Sequence, residues 1–117
     1  MKELKNDLIT QNYTKILEEE NYNFNAPNLF EVVKSENNES LVSIHFQEGP
    51  IKENGVNGVC NEDLIAMVIR RLESFQQSEF KCEENAMAIT KLEESLIWLR
   101  KRKLDRETRG VVGTHTV

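Results

Sequence analysis

Cysteine is scarce in this chain, and the two present, Cys60 and Cys82, stand apart with neither CxxC spacing nor a histidine cluster nearby. That excludes a zinc site of the usual kind and a disulfide framework, and both are read as reduced thiols. No run approaches the roughly 18 apolar residues a membrane span needs. The opening MKELKNDLIT lacks the apolar stretch of a secretory leader, so a cytoplasmic protein with no membrane partner is expected. Signatures of catalysis are also missing: there is no P-loop or GxGxxG, no Ser or Cys nucleophile with a positioned His, and no isolated carboxylate pair. The chain is therefore read as a binder, not an enzyme, with no cofactor and no metal.

What is present is ordinary for one folded domain, with 117 residues, 38% apolar and 30% charged. Net charge is −5, but residues 1–60 carry five bases against ten acids, whereas residues 61–117 balance ten against ten and hold all six arginines. Bulk affinity for nucleic acid is not expected from this balance. Within residues 100–109 six bases face only Asp105 and Glu107, a local surplus of four positive charges suited to a small polyanion.

Hydrophobic spacing predicts the elements. Leu8, Ile9, Tyr13, Ile16 and Leu17 fall at helical intervals over 6–20, although Glu18, Glu19 and Glu20 oppose the dipole at that helix's end. PNLFEVVKS and SLVSIHFQEG flank a turn and read as a β-hairpin, with His45 a solvent-exposed strand residue. Three turn signals, Gly49-Pro50, Asn54-Gly55 and Asn57-Gly58, mark a structured loop. Asn61 then caps a helix to about Phe75 with a core stripe of Leu64, Ile65, Val68, Ile69 and Leu72. A second helix opens at Glu83 and Glu84 and carries a seam of Ile89, Leu92, Leu96 and Leu99, continued backward by Asn85 and forward by Lys103 and Arg106. The expectation is an α+β protein, compact overall: a β-containing region and loop over 1–60, packed on an antiparallel helical hairpin over 61–117. Because these parts cannot fully cover one another, an obligate oligomer is expected.

The helical turn brings Phe75 close to Asn85, and arginines lie nearby in sequence. Guanidinium groups with an aromatic ring and an amide suit a nucleotide-like ligand, because Arg grips oxyanions bidentately and a flat ring stacks on a base. Phe75 equally fits core packing, and Asn85 a helix cap or a buried register-setter. Arg70 and Arg71 are read either as partners of neighbouring acids or, for Arg71, as part of the ligand set. The cluster from Arg100 to Arg109 fits a solvated helix end as well as a phosphate site, and an alternative function is a nucleic-acid-binding regulator using that end. Arg102 lies 17 residues beyond Asn85, roughly 25 Å along the helix, so one small ligand meets both only if a second chain contributes. In the tail, Gly113 and Thr114 offer a backbone nest and a hydroxyl for an anion, with fraying as the other reading.

FQEGPIKENGVNGVCNEDLIAMVIRRLESFQ, CEENAMAITKLEESLIWLRKR and DRETRGVVGTHTV, from Phe46 to Val117, closely resemble the bacteriophage Thoeris anti-defence sponge family. The helical hairpin is also similar to that of the phage anti-CBASS cyclic-oligonucleotide sponge. The resemblance implies a protein that sequesters glyco-cyclic ADP-ribose made by bacterial TIR-domain proteins, uncleaved, in the host cytoplasm. It implies a ligand site at a homodimer interface, with dimers building into homohexamers. The family's functional aromatic and amide match Phe75 and Asn85, and its arginines match Arg102, Arg106 and Arg109. In hexameric relatives a separate pocket takes cyclic trinucleotides, for which Gly113 and Thr114 are the expected residues. The chain departs from the family pattern at Glu83 and Val112, where that pattern carries Arg and Glu, and near Ser78, where it carries a Gly.

Overall fold

The computed structural model describes all 117 residues, which divide into two compact units, Met1–Val59 and Cys60–Val117. The first unit is a four-stranded antiparallel meander in the order β1 (Lys2–Glu3), β2 (Thr14–Glu18), β3 (Leu29–Lys34) and β4 (Ser40–His45). The expected hairpin is β3 with β4, and it forms half of a larger sheet. Cross-strand neighbours Ile16, Val32 and Val42 share one face, and a register shift between Val32 and Val33 bends β3 there. Val33 is 1% exposed and anchors the sheet's core.

The helix expected over 6–20 does not form. Its C-terminal part is instead β2, paired along its length with β3. The preceding segment is a loop in which side chains satisfy the backbone locally: Asn6 Oδ1 accepts from Leu8 N at 2.9 Å, and Gln11 Oε1 accepts from the amides of Tyr13 at 2.9 Å and Thr14 at 3.2 Å. Such amides compete with helical bonding, and a ladder on β3 wins over a weak helical period. Leu8 and Tyr13, two of the residues that suggested the helix, are 90% and 87% exposed.

After β4 the chain turns through a short helix α1 (Ile51–Asn54) and returns so that Val59 bridges Phe46. Two amides lock this loop. Gln47 Nε2 donates to Gly55 O at 2.7 Å while its Oε1 accepts from Asn57 N at 2.9 Å. Asn57 in turn accepts from Glu48 N and donates to Glu48 O, both at 2.8 Å. His45 lies at the end of β4 with its side chain 38% exposed, Nε2 2.6 Å from Glu48 Oε2. Gly58 lies against the backbone of β4's end, where an added Cβ would sit 2.5 Å from Phe46 C and O.

The second unit is an antiparallel pair, α2 (Asn61–Gln76) and α3 (Glu83–Thr108). Asn61 proves to be the first helical residue, not the cap. Cys60 caps, its N–H donating to Asp63 Oδ2 at 2.8 Å. Burial, with the nearby Asp63 and Glu62 carboxylates, pushes the Cys60 thiol up, while Lys103 near the far end of α3 pulls it down. That influence is what antiparallel pairing requires. Ile69 is the buried centre of α2, and Asn85, Ile89, Leu92, Leu96, Leu99 and Arg106 form the half-buried seam of α3. Val68, expected in the core stripe, is exposed, and Lys103 lies off the seam.

Gly58→Ala should lower the urea midpoint by the equivalent of about 1–3 kcal/mol, because the Phe46 backbone cannot move aside as a flexible side chain would. An unchanged midpoint in circular dichroism would contradict the close approach.

Candidate functional site

The outer face of α2 carries two side-chain rows at intervals of four, Met67, Arg71 and Phe75, and Arg70, Ser74 and Ser78, the last just past the helix end. Neither row belongs to the seam with α3. With Phe80 from the interhelical turn they line an open depression of ≈ 540 Å³. Phe75 is 37% exposed, and the Arg71 guanidinium sits over its ring, 5.1 Å from the centroid. That cation–π placement, characteristic of Arg on an aromatic face, holds the guanidinium beside the ring.

Electrostatics separate this depression from two others, both on the sheet. The one of ≈ 660 Å³ beside β1 and β2 sets Glu3 and Asp7 against Lys5 and Lys15 and contains no aromatic ring. The one of ≈ 570 Å³ has Tyr13, with Lys34 offset by Glu36. Only the depression on α2 combines aromatic rings with two arginines and no carboxylate. The side-chain ion pairs of either unit use lysine, histidine or the N-terminus, and none engages an arginine. Pairing of Arg70 and Arg71 with neighbouring acids therefore does not occur.

The turn that closes the helical pair is rigidly tied. Gln76 Nε2 donates to Cys82 O at 2.9 Å and its Oε1 accepts from Cys82 N at 3.0 Å, joining the end of α2 to the start of α3. Phe75 and Asn85 lie on either side of this clamp, Asn85 in the first turn of α3 and half-buried on the seam. Asn85 is not among the residues lining the Phe75 depression.

The remaining predicted residues gather at the other end of α3. Arg102 is exposed and forms no ion pair. Arg106 turns onto the chain's own tail, Nη1 donating to Thr116 O at 2.7 Å and Nη2 to Val111 O and Thr114 O at 3.0 Å each. Arg109 donates to Val117 O. Helix α3 ends in a Schellman arrangement, with Val111 N bonding Arg106 O and Gly110 N bonding Glu107 O, both at 3.0 Å, which needs the left-handed φ of 69° at Gly110. Thr114 Oγ1 donates to Val111 O at 2.6 Å, and Gly113 has φ 77°. The tail is thus folded back and hydrogen-bonded in this structure, with Arg106, Arg109, Gly113 and Thr114 in one cluster.

Sequence reading missed Met67, Arg70, Ser74, Ser78 and Phe80 as residues of this depression. The available signal was an aromatic residue inside a polar helical turn, where no partner helix row exists to bury it. Arg106→Ala should release the tail at a cost of about 1.5–3 kcal/mol in local stability, since its bonds are charge-assisted. Hydrogen exchange at residues 111–117 should accelerate while the amides of α2 keep their protection; unchanged exchange would show that Arg106 does not hold the tail.

Comparison with known proteins agrees with the resemblance drawn from Phe46 onward. The family model described as "Acb2/Tad1, hairpin domain" matches residues 38–103, more than half of the chain. A protein of Bacillus phage SBSphiJ7, "Thoeris anti-defense 1", is 47% identical over 140 aligned positions, which cover 98% of this chain and 99% of the relative. Likeness therefore extends through the N-terminal sheet, where no motif stood out. The chain belongs to the Acb2/Tad1 hairpin-domain family.

Proposed function

We propose that this protein is a phage anti-defence sponge, which binds a cyclic ADP-ribose-type signal, glyco-cyclic ADP-ribose made by bacterial TIR-domain proteins, and holds it without cleaving it. The observation that carries the reading is the carboxylate-free depression on α2, where Phe75 stands exposed with Arg71 over its ring and Arg70 alongside. An aromatic face accepts a base with little regard to its identity, and guanidinium groups take phosphate oxygens in forked geometry. The anti-defence name of the phage relative supports the same reading.

In this proposal Phe75 stacks on adenine and Asn85 hydrogen-bonds the ligand, while Arg102 and Arg106 hold phosphates, with Arg71 and Arg109 adding charge. Arg102 stands about 25 Å along α3 from Asn85 at the usual helical rise. The complete site accordingly spans two chains of a homodimer, which can assemble further into a homohexamer. Gly113 and Thr114 form a second site for cyclic di- or trinucleotides. The protein acts in the cytoplasm of the infected host, where removing the signal leaves the downstream effector inactive. No helix is long and apolar enough to cross a membrane, which fits a diffusible binder.

Incubating the protein with a filtrate containing TIR-derived signal and removing it by ultrafiltration should abolish effector activation. Heating the retained fraction should restore it. Loss without recovery would indicate degradation and defeat the sponge reading, and activity never lost would exclude this signal as the ligand. Duplex DNA binding with a steep salt slope would favour the nucleic-acid regulator instead. Phe75→Ala, folded and with native association state, should bind the signal roughly 1–3 kcal/mol more weakly; wild-type affinity in calorimetry would remove Phe75 from the site.

A further inference from the structure

Phe80 is 67% exposed although it belongs to a turn that is otherwise closely tied. A single hydroxyl connects it to Phe75: Ser78 Oγ donates to Phe75 O at 2.6 Å and accepts from Phe80 N at 3.1 Å. Ser78 N also donates to Phe75 O at 3.1 Å, and the Gln76–Cys82 clamp closes the turn around them. The backbones of the two aromatic residues are thereby fixed relative to each other, and both side chains line the same depression. A ring left in water on a rigid mount is apolar surface without an intrachain use. Its backbone is preorganised, so that only the ring's own rotation remains to be lost when a ligand settles on it.

We propose that Phe80 is a second base-contacting residue, a wall facing the Phe75 side of the depression, and that Ser78 is its positioning residue. This rests on reading the Phe75 depression as the base-binding site. The occupant that fits is a purine carrying phosphate, to which Arg70 and Arg71 add positive charge beside the arginines that hold the phosphates: two aromatic walls favour a flat base, and two guanidinium groups with no carboxylate in the lining favour an attached oxyanion. Phe80 then adds contact area on the base that Phe75 alone does not supply, which makes it a determinant of preference for purine over smaller bases. Ser78 acts only through the backbone of its neighbours.

The test is calorimetric titration with cyclic ADP-ribose-type product made from NAD by a bacterial TIR protein, alongside sedimentation velocity. Phe80→Ala should weaken binding roughly 5- to 150-fold, the range expected for losing one stacking residue. Phe80→Leu should stay weak and Phe80→Trp should recover, because the flat ring is what is required. Ser78→Ala should weaken binding by a smaller factor, and Ser78→Thr, which keeps the hydroxyl, should restore it. If Phe75→Ala is weakened but Phe80→Ala binds like wild type, Phe80 is outside the site and the proposal falls while the sponge reading stands. Full recovery by Phe80→Leu, or a weakening of Phe80→Ala that accompanies a changed sedimentation coefficient, assigns Phe80 to apolar packing or a chain interface and overturns the proposal. Failure of the wild-type protein to bind the probe would defeat the underlying reading for that signal, and this inference with it.

Discussion

Gln76 binds Cys82 with both ends of its amide, and the helical unit depends on that clamp. A helical hairpin needs its two axes joined at a fixed angle before a seam of aliphatic side chains can register, and a backbone turn alone leaves several angles open. With the turn held, Ile69 is buried against α3 and the seam from Asn85 to Arg106 falls into place. The same clamp orients the face of α2 that is not in the seam, so the depression around Phe75 inherits its shape from the turn. Packing and site therefore share this turn as a common boundary.

The arginines show how charge is divided between structure and binding. Lysines serve the ion pairs of the two units, where a mobile ammonium is sufficient and worth little. Arg106 and Arg109 are spent on tail carbonyls, where the planar fork reaches several acceptors together. Arg70, Arg71, Arg100 and Arg102 are left without carboxylate partners. An uncompensated guanidinium beside an exposed ring is the feature from which the binding proposal grows. If Arg106 also serves a ligand, its bonds to the tail must be exchanged for bonds to phosphate, which would couple the order of the last seven residues to occupancy.

Apolar exposure in the helical unit follows a related division. Ile97 and Trp98 are 65% and 64% exposed in the single chain, set between the half-buried seam residues Leu96 and Leu99 and so on the face of α3 turned away from α2. A helix with one partner leaves its opposite face in water. That open apolar face is the physical basis for proposing association between chains.

Much of the helical unit was legible in the sequence, because its signals are local and mutually consistent: acids at both helix starts, a three-four period in α3, and arginines at its end. The β3–β4 hairpin was legible for the same reason, as was the family, from long stretches that match in order. The segment before β3 was misread because Leu8, Ile9 and Tyr13 mimic a helical face while the decisive interaction, the β2 ladder on β3, is between distant residues. Composition could not reveal Phe80 or Ser78 as neighbours of Phe75, since one hydroxyl and a turn decide that. By itself the sequence determined the helices, their seam, the charge surplus and the family, all carried by short-range pattern. Only the tertiary structure decided which face of α2 stays open, which arginines remain uncompensated and which turn into the tail, because those outcomes depend on hydrogen bonds and packing that periodicity does not encode.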